Sequence, residues 1–487
     1  MKLVKLLKDL KVQEVHGSKS IEITGISNHS QKVSPGNLFI AKQGAVTDGN
    51  LYTPEAVVSG AVAIVTDMYD PSQKNVTQIV HPNVKEIEGQ LVARYYEQPA
   101  EELLMIGITG TKGKTTTSYL IHHLLESLGC RSGLMGTVEY LVGEHRYPAS
   151  HTTPDVLTNH RMLREMIQQN CKGAVMEVSS HALDQNRVQC IDFDIAVFTN
   201  LTPDHLDYHK DMDHYIASKR KLFASLKESG TAVYNADSPL WEQILEECSA
   251  KKISYAIQNP ADVKASDIKL TPLGSTFIIH TQNQQVTCQS TLVGLHNVSN
   301  ILSTIATALA CGYSLEESVA ALKGFQQVPG RLEFVKNNLG LKVYVDYAHS
   351  GESLAAVLQG LHELKTGRIL TVFGCGGDRD MERRMGMARA AEKYSDISIV
   401  TTDNPRSEDP TVIIEDILRG FTNLDNVVVE ADRRKAIEKA IKMAKEDDLI
   451  LIAGKGHERF QIFVNIMVEF DDRVVVAEVC QSQLASV

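Results

Sequence analysis

A strand, a glycine-rich turn and a helix follow one another without a spacer over residues 103–129, and this segment constrains the fold more than any other. LLMIGIT, residues 103–109, is predominantly apolar, as a strand buried on both faces is. TTTSYLIHHLLESLG, residues 115–129, has the length and composition of a helix. The turn between them brings backbone amides to a helix N-terminus, an arrangement that favours phosphate.

Apolar runs and helical segments continue to alternate along the rest of the chain. A helix is predicted over residues 214–229, and strands are predicted over 173–180, 195–202, 343–348, 369–377, 397–404 and 449–456. Alternation of this kind is typical of parallel sheets covered by helices, so we predict the α/β fold class. Ligands of such sheets bind at the carboxyl ends of the strands, where every unusual motif of this chain lies.

The chain is long enough for several domains. Its 487 residues exceed one hydrophobic core and suggest about three domains, on a prior of roughly 150 residues each. Breaks are predicted at Pro99, where a helical segment ends, and near the VPGR segment at residues 328–331. The first domain contains an amphipathic helix at its start and short strand-like runs over 21–27, 37–41 and 62–66. The predicted domains are 1–98, 99–329 and 330–487.

Composition restricts the class of protein. Hydrophobic residues make up 43% of the chain and charged residues 22%, as in ordinary soluble globular proteins. The net charge of −11 argues against nucleic acid or an anionic membrane as a partner. No apolar run approaches the roughly 18 residues of a membrane-spanning helix. The eight cysteines form no CxxC pair, which favours a reduced cytoplasmic protein with buried thiols.

The turn over residues 110–114 resembles a phosphate-binding P-loop with one substitution. The usual pattern has Gly, four residues of any kind, then Gly-Lys-Ser/Thr. GKT is present at residues 113–115, but Ile108 stands where the first Gly is usual. In this reading Lys114 reaches the β- and γ-phosphates and Thr115 holds Mg²⁺. The pattern predicts a variant nucleotide site, the alternative being a glycine-rich turn without a ligand.

Acidic and basic side chains follow the next strands. Glu177 ends the GAVME strand, where it could bind Mg²⁺ or simply face solvent. The loop TNLTPDHLDYH contains His205, a candidate metal ligand, and His209, which could equally be a structural hydrogen-bonding residue. Lys219 taken alone is typical of an exposed helix lysine. The asparagines of LHNVSN could bind a base edge, although capping is the commoner role of Asn.

Three late segments could bind a small charged ligand. GCGGDRD at residues 374–380 and AGKGHE at 453–458 each offer backbone amides with a charged residue close behind. DNPR at residues 403–406 follows a predicted strand and presents both charges at once. That combination suits a zwitterionic or dicarboxylate ligand, the alternative being an ordinary turn with Pro.

Seven motifs occur in order along the chain: GTKGKTT, EVSSHALDQNRV, NLTPDHLDYH, the lysine of YIASK, VPGRLE, DYAHS and DNPR. Each is modest alone, but in this order they resemble the Mur ligase family. The resemblance runs from the first strand of the N-terminal domain to about Phe463. It implies an α/β protein of three domains: a UDP-substrate domain, a central P-loop parallel-sheet ATPase domain and a C-terminal Rossmann-like domain that binds the amino acid.

Within the family, the motifs are most similar to members that add 2,6-diaminopimelate during peptidoglycan precursor synthesis. The resemblance implies two substrates, UDP-N-acetylmuramoyl-L-alanyl-D-glutamate and meso-diaminopimelate, and neither nucleic acid nor membrane as a partner. It also implies that ATP, with Mg²⁺, converts the terminal carboxylate into an acyl phosphate, which an amine attacks to give an amide. A cytoplasmic monomer is expected.

The resemblance assigns roles residue by residue. The implied catalytic residues are Lys114, Glu177, His205, Lys219 and Asp346. Lys219 matches a lysine that CO₂ carbamylates in the family, and the implied metal ligands are Thr115, Glu177, His205 and this carbamate. The implied ATP contacts are Gly110, Thr111, Lys112, Gly113, Lys114, Thr115, Thr116, Asn297, Asn300 and Arg331.

Two further sets match substrate contacts. Those for the UDP-muramoyl dipeptide are Ser30, Thr152, Thr153, Ser179, Gln185 and Arg187. Those for diaminopimelate are Arg379, Asp403, Asn404, Pro405, Arg406, Gly454 and Glu458. Arg406 marks specificity, because its guanidinium suits the distal carboxylate of diaminopimelate and lysine-adding relatives lack that arginine.

Several segments depart from the family pattern. HSQ replaces DSR at residues 29–31, MERRMGMA replaces KGKRPLMG at 381–388, and Arg-Phe replaces Asp-Tyr at 459–460. DYAHSGE stands for DYAHTPD, and His296 stands for the usual Phe. These departures leave open a paralogue that adds L-lysine or another amino acid. A folylpolyglutamate- or cyanophycin-type ligase, a P-loop ATPase switch and a non-catalytic binding protein are the further alternatives, each disfavoured by the motifs present.

Overall fold

The computed structural model describes residues 1–44 and 47–484, and the chain divides into two compact units. One unit contains Met1–Asp262 and Ser303–Ser318, and the other contains Val263–Leu302 and the chain from Val319 onward. Two helices, Leu295–Ala310 and Leu315–Leu322, contribute residues to both units. The α/β class is confirmed, whereas the division at residues 98 and 329 stays a prediction.

The first unit begins with a small, mostly parallel sheet. Its strand order is Glu14–His16, Thr77–Val80, Ala63–Thr66, Asn37–Ile40 and Gly25–Ser27. The first of these strands is antiparallel to its neighbour and the others are parallel. Apolar side chains of the strands pack against the helix Val84–Tyr95 in a common core. The unit's other elements before residue 102 are Leu3–Leu6, Thr53–Val58 and the 3₁₀ helices Ser30–Lys32, Gly49–Tyr52 and Pro99–Glu101.

A larger parallel sheet forms the centre of the same unit. Its parallel strands run in the order Lys251–Ala256, Leu226–Asn235, Phe193–Phe198, Leu104–Thr109, Gly173–Glu177 and Ser132–Met135. The antiparallel strands Glu139–Val142 and His145–Pro148 follow at the edge. Its helices are Lys114–Ser127, Val156–Gln168, Ser180–Asp184, Leu206–His209, Met212–Ala224 and Trp241–Ile244.

The strand Leu104–Thr109 lies between two strands that come later in the chain, Gly173–Glu177 and Phe193–Phe198. Strand order therefore switches at its carboxyl end, which is where open α/β sheets form a ligand crevice. The loops after these three strands carry the glycine-rich turn, Glu177 and the histidine-containing segment. The fold thus brings together motifs that are about 70 to 100 residues apart in the chain.

The second unit contains a sheet in the strand order Glu333–Phe334, Lys342–Asp346, Leu449–Ala453, Ile369–Phe373, Ile397–Val400 and Val427–Val429. All neighbours are parallel except the first pair. Helices cover both faces, since Leu358 and Ile417 pack with Leu451 on one side whereas Ile437 and Val476 pack on the other. The helices are Gly351–His362, Met381–Tyr394, Pro410–Leu418, Arg433–Met443 and Asp472–Leu484.

Antiparallel strands complete the second unit. Val263–Thr271, Gly274–His280 and Gln285–Ser290 pair in sequence, and Phe460–Phe463 pairs with Ile466–Glu469 in a hairpin. None of the helices in the described ranges is both long and apolar enough to cross a membrane. The cysteines of the described chain are free thiols, and Cys190 is exposed, contrary to the prediction of buried thiols.

Two predicted helices are too long. The amphipathic helix predicted over MKLVKLLKDLKV, residues 1–12, is helical only over Leu3–Leu6, and the backbone is left-handed at Asp9, where φ is +60°. The helix predicted over 214–229 covers Met212–Ala224, and a strand begins at Leu226. The residues after Ala224 pair with Phe193 and extend the parallel sheet, so tertiary pairing overrides the local helical pattern.

Candidate active site

Two glycines shape the phosphate-binding turn. Gly110 has φ of +148° and Gly113 has φ of +86°, both in the region that favours glycine. A Cβ at Gly110 would lie 1.9 Å from Oγ1 of Thr199, so a side chain has no space there. Ile108 is fully buried inside the strand Leu104–Thr109, where no turn is made. The glycine missing from the usual pattern is therefore not needed at position 108.

The turn is fixed by the loop that follows the strand Phe193–Phe198. The Thr111 amide donates to the Asn200 carbonyl at 2.9 Å, and the Lys112 amide donates to Asn200 Oδ1 at 3.0 Å. In return, Thr199 Oγ1 donates to the Lys112 carbonyl at 2.7 Å. The helix Lys114–Ser127 begins directly after Gly113, so the amides of its first turn face the same space. The result is a rigid cradle suited to an anion.

Two lysine ammonium groups meet at this cradle. Lys114 Nζ donates to the carbonyls of Gly110 at 2.7 Å and Thr111 at 2.9 Å. Lys219 Nζ also donates to the Gly110 carbonyl, at 2.9 Å, and the side chain is 1% exposed. Burial, with the nearby charge of Lys114, holds the pKa of Lys219 well below its usual value. The structure therefore places Lys219 inside the site and not on the surface of its helix.

Glu177 is buried at the end of its strand and accepts three hydrogen bonds. Its carboxylate accepts from the Thr137 amide at 2.9 Å, from Thr137 Oγ1 at 3.0 Å and from Thr115 Oγ1 at 3.0 Å. Thr137 Oγ1 also lies 3.1 Å from Thr152 Oγ1. The contact brings together two predicted Mg²⁺ ligands, one carboxylate and one hydroxyl. Oxygen donors of this kind fit Mg²⁺.

Predicted substrate residues surround the same strand end. Thr153 Oγ1 donates to the Glu177 carbonyl at 2.7 Å and accepts from the Ser179 amide at 3.0 Å. Arg187 donates to the Thr153 carbonyl at 3.1 Å and to Gln185 Oε1 at 2.7 Å. These side chains form one connected group beside the phosphate-binding turn. Arg187 is the cationic member of the group and Gln185 holds its guanidinium in place.

His205 lies nearby on an exposed loop. Its φ is +54°, its side chain is 51% exposed, and its ring centroid is 4.9 Å from that of His181. Within the described chain no hydrogen bond joins His205 to Thr115, Glu177 or Lys219. Residues 1–44 and 47–484 contain no group of three or more His, Cys, Asp or Glu side chains arranged for a metal. A metal here would depend on a hydroxyl such as that of Thr115 as well as on the Glu177 carboxylate.

Two flanking residues are buried. His209 is 4% exposed, and its Nε2 lies 2.9 Å from Ser180 Oγ, which matches the structural alternative for this histidine. Ser30 is 5% exposed on the short helix Ser30–Lys32, whose first turn is capped by His29. Among the described residues, no hydrogen bond links Ser30 to the group around Thr153. The structure therefore does not join Ser30 to the other predicted dipeptide contacts.

In the second unit, Asp346 ends the strand Lys342–Asp346. Its carboxylate accepts from the Leu332 amide at 2.6 Å and the Ala348 amide at 2.7 Å. Burial raises the pKa of Asp346, and the Arg331 guanidinium opposes that rise. The Arg331 guanidinium carbon lies 5.0 Å from the centroid of the Tyr347 ring, a cation–π contact. Asp346 and Arg331 are thus close enough to interact electrostatically, and their roles at the nucleotide stay predictions.

The two predicted adenine contacts bind each other. Asn297 Nδ2 donates to the Val293 carbonyl at 2.9 Å, and Asn300 Nδ2 donates to Asn297 Oδ1 at 3.0 Å. Both side chains are buried, at 4% and 6% exposure. These bonds match the local capping role that is common for asparagine. His296, which stands for the family's Phe, is exposed beside them.

A cavity at the carboxyl ends of the second unit's strands gathers the late motifs. Six of the seven residues predicted for diaminopimelate line it: Arg379, Asp403, Asn404, Arg406, Gly454 and Glu458. Pro405 is not in the lining, and its carbonyl packs against Gly377 instead. Tyr347, His349 and Arg383 line the cavity without having been predicted. The walls present three guanidinium groups and two carboxylates, a pattern complementary to a zwitterion with more than one carboxylate.

The acidic wall depends on a glycine. Gly454 has φ of +113°, and a Cβ there would lie 2.4 Å from Asp403 Oδ2. Asp403 is 6% exposed, and burial raises the pKa of its carboxyl while the Arg433 and Lys455 charges oppose the rise. Arg433 lies 4.0 Å from Asp403 and forms a buried ion pair with Asp472 at 2.8 Å. The positive charges of Arg433 and Lys455 therefore favour the ionised form of Asp403.

Arg406, which lines the same cavity, is held in a fixed conformation. Its φ is +52°, an uncommon value for a residue with a side chain. Its amide donates to the Ile462 carbonyl at 2.9 Å, and its Nη1 donates to the Gly377 carbonyl at 2.7 Å. These bonds leave the other guanidinium donors for the cavity it lines.

Comparison with known proteins assigns this arrangement to a family. Family models match three segments: the Mur ligase family catalytic domain at residues 22–105, the Mur ligase middle domain at 108–308, and the Mur ligase glutamate ligase domain at 330–456. Together they account for most of the chain. The chain belongs to the Mur ligase family.

The relatives of this Mur ligase are similar over their whole length. A UDP-N-acetylmuramoyl-L-alanyl-D-glutamate–2,6-diaminopimelate ligase of Chlamydia trachomatis serovar D is 43% identical over 482 residues, covering 98% of this chain and 99% of the relative. The ligase of the same name from Syntrophomonas wolfei is 40% identical over 488 residues, covering 99% and 100%. A solved structure of a ligase with that name is 31% identical with a TM-score of 0.74, covering 99% of each chain.

Sequence reasoning missed three residues of this Mur ligase that support the site, of which Arg433 and Lys455 are buried and Thr137 is half-buried. Thr137 holds Glu177, Arg433 supports Asp403, and Lys455 binds Asn404 at 3.1 Å. Lys455 stands in the AGKGHE segment, which was a usable signal, because a glycine-rich loop with charges had already been noted there. Arg433, within DRRK, and Thr137 carry no local pattern that separates them from surface residues.

Proposed function

We propose that this Mur ligase joins meso-diaminopimelate to UDP-N-acetylmuramoyl-L-alanyl-D-glutamate, using ATP, in cytoplasmic peptidoglycan precursor synthesis. The observation that carries the proposal is the cavity lined by Arg406, Asp403 and Glu458, whose charges complement an amino acid with a second carboxylate. Names of relatives that are 40–43% identical over nearly the whole chain support the same substrates.

The phosphate-binding turn would hold ATP. Lys114 stands at the cradle to neutralise the β- and γ-phosphates, and the helix amides after Gly113 face the same anion. Thr115 and Glu177 would hold Mg²⁺, which supplies charge neutralisation of the transferring phosphoryl group. The terminal carboxylate of the UDP-linked dipeptide takes the γ-phosphoryl group and ADP leaves. The product acyl phosphate has a good leaving group, which a carboxylate lacks.

Lys219 is the proposed site of a carbamate. Its nitrogen is buried, and its lowered pKa increases the share of neutral amine, the form that reacts with CO₂. The neutral amine adds to CO₂ and releases a proton to solvent, so that it becomes an anionic carbamate. Such a group would offer oxygen ligands next to the phosphate-binding turn. The relief of repulsion with Lys114, whose ammonium shares the Gly110 carbonyl, favours the change.

The incoming amino acid would bind in the cavity of the second unit. Arg406 takes the distal carboxylate, while Asp403 and Glu458 accept from ammonium groups. After one amine loses its proton, its lone pair attacks the acyl phosphate carbon, and phosphate leaves as the amide forms. Thr152, Thr153, Ser179, Gln185 and Arg187 would hold the muramoyl-peptide arm, since they surround Glu177, and Ser30 would bind the uridine side.

The direct test is phosphate release with ATP, Mg²⁺ and the UDP-linked dipeptide, with meso-diaminopimelate, L-lysine or L-ornithine as the amino acid. We expect release with diaminopimelate alone, together with the mass of the UDP-linked tripeptide. Release with L-lysine instead would keep the ligase chemistry and overturn the assignment of the amino acid. A lack of release with every amino acid would overturn the proposed reaction.

Replacing Arg406 with alanine should weaken the use of diaminopimelate far more than the use of ATP. A hydrogen bond to a charged group contributes about 1.5–3 kcal/mol, and its loss corresponds to a rise in the KM for diaminopimelate of roughly 10- to 100-fold. The measurement is steady-state kinetics with each substrate varied in turn. Arg434→Ala is a matched control, because Arg434 is exposed and pairs with Glu478. Equal rises in the KM for ATP and for diaminopimelate would contradict a carboxylate clamp.

A further inference from the structure

Lys455 is a buried lysine that stands directly behind the amino-acid cavity. Its side chain is 0% exposed, and it is not part of the cavity lining. Its ammonium donates to Asn404 Oδ1 at 3.1 Å, Glu458 Oε2 at 3.1 Å and the Phe460 carbonyl at 2.6 Å. A lysine ammonium has three donors, so these three acceptors satisfy it completely.

The bonds of Lys455 fix the orientation of two side chains that do line the cavity. Asn404 Oδ1 accepts from Lys455 and from the Ile462 amide at 3.1 Å, so its Nδ2 must point the other way. That Nδ2 donates to Glu458 Oε2 at 2.8 Å. Asn404 and Glu458 are 54 residues apart in the chain, and Lys455 links both. The three side chains form a closed triangle of hydrogen bonds.

The triangle engages only one carboxylate oxygen of Glu458. Both of its donors, Lys455 and Asn404, bind Oε2, and within the described chain no donor binds Oε1. Glu458 lines the cavity, so Oε1 is the oxygen that can accept from a ligand. A free glutamate side chain has several rotamers, and binding through Oε2 limits it to those that keep this triangle.

The charge of Lys455 matters as much as its hydrogen bonds. A lone buried ammonium is costly, and here the Glu458 carboxylate compensates it. Asp403, the second acid of the cavity, is also within the electrostatic reach of Lys455. The negative charge of Glu458 adds to the rise in the pKa of Asp403, and the positive charge of Lys455 opposes that rise together with Arg433. Lys455 therefore reduces the repulsion between the two acids of the cavity.

We propose that Lys455 is a positioning residue for the incoming amino acid: it holds Asn404 and Glu458 so that Glu458 Oε1 faces the ammonium group of the substrate. The proposal rests on the proposed function of the cavity and extends it to a residue that touches no substrate. The proposal predicts that loss of Lys455 weakens the affinity for the amino acid and leaves the affinity for ATP unchanged. None of the three bonds of Lys455 involves the phosphate-binding turn.

The test compares Lys455→Met and Lys455→Gln with the wild type and with Lys442→Met, which removes an exposed lysine paired with Glu438. Steady-state kinetics should give a KM for diaminopimelate that is raised about tenfold or more, with the KM for ATP unchanged, because a charge-assisted hydrogen-bond network is lost. The glutamine side chain is of similar length and keeps a hydrogen-bond donor. If Lys455→Met does not fold, the KM of Lys455→Gln for diaminopimelate tests the proposal instead. A parallel change in all KM values, or an unchanged KM for diaminopimelate, would overturn the proposal.

Equilibrium dialysis with labelled meso-diaminopimelate separates this inference from the proposed function. Binding by the wild type that weakens about tenfold in the Lys455 variants supports the positioning role even if no tripeptide forms. Tripeptide formation by the wild type with equal amino-acid affinity in the variants overturns the positioning role alone. Failure of the wild type to bind or use diaminopimelate overturns both.

Discussion

Lys114→Ala is expected to abolish tripeptide formation, with a fall in kcat of about 10²–10³-fold or more, as for the loss of one preorganised electrostatic group. Lys114 Nζ donates to the Gly110 carbonyl at 2.7 Å and to the Thr111 carbonyl at 2.9 Å. Both carbonyls belong to the turn that would hold the phosphates. Lys219 Nζ also donates to the Gly110 carbonyl, but the proposed carbamate would remove the positive charge of that side chain. The alanine variant therefore leaves the transferring phosphoryl group without its nearest cation.

The measurement is coupled phosphate release, with thermal unfolding to verify that the variant folds. Lys172→Ala is the matched control, because Lys172 is exposed just before the strand Gly173–Glu177 and should leave kcat unchanged. Binding of the UDP-linked dipeptide should also be retained in Lys114→Ala. Turnover within about tenfold of the wild type would contradict the phosphate-cradle assignment, since one such group supplies at least that factor.

The parallel sheets were predictable because their strands are buried on both faces. Continuous apolar runs such as LILIA and ILTVF leave few alternatives to a buried strand. The antiparallel strands Val263–Thr271 and Gly274–His280 were not predicted, because their burial alternates along the chain and half of each faces solvent. Alternation of apolar and polar residues with interspersed Lys and Asp is only weak evidence for a strand in a single sequence. Val427–Val429 was missed because it is only three residues long.

The residues of the candidate site also differ in whether the sequence could predict them. Residues in motifs, such as Glu177 and Arg406, could be found because a strand end and a glycine-rich context mark them. Arg433 could not, since a buried arginine within DRRK looks like a surface position in the sequence, whereas Lys455 at least stands in a glycine-rich segment with charges. Lys219 shows how far local pattern can mislead: by itself it is typical of an exposed helix lysine, yet it is 1% exposed. Its burial follows from packing between strands that are distant in the chain.

Lys219→Ala is expected to lower kcat by about 10²–10³-fold, because it removes the proposed anionic ligand while leaving the rest of the site intact. The variant leaves space next to the Gly110 carbonyl, where Lys219 Nζ lies at 2.9 Å in the parent chain. A short carboxylic acid such as formate or acetate fits that space and carries the same charge as a carbamate. We therefore expect added acid to restore part of the activity.

Two comparisons make the test specific for the carbamate. Lys114→Ala should not respond to the acid, because it lacks a cation, and Lys221→Ala, on the same helix as Lys219, should not need it. Intact mass should reveal one added CO₂ on the wild type that is absent from the Lys219 variant. Because burial lowers the pKa of Lys219, the free amine is a larger share of the side chain than for an ordinary lysine at the same pH, and lowering the pH protonates it and opposes carbamylation. Activity lost on mild acidification should then return in part with added bicarbonate, whereas a folded Lys219→Ala variant that no carboxylic acid rescues would contradict the carbamate.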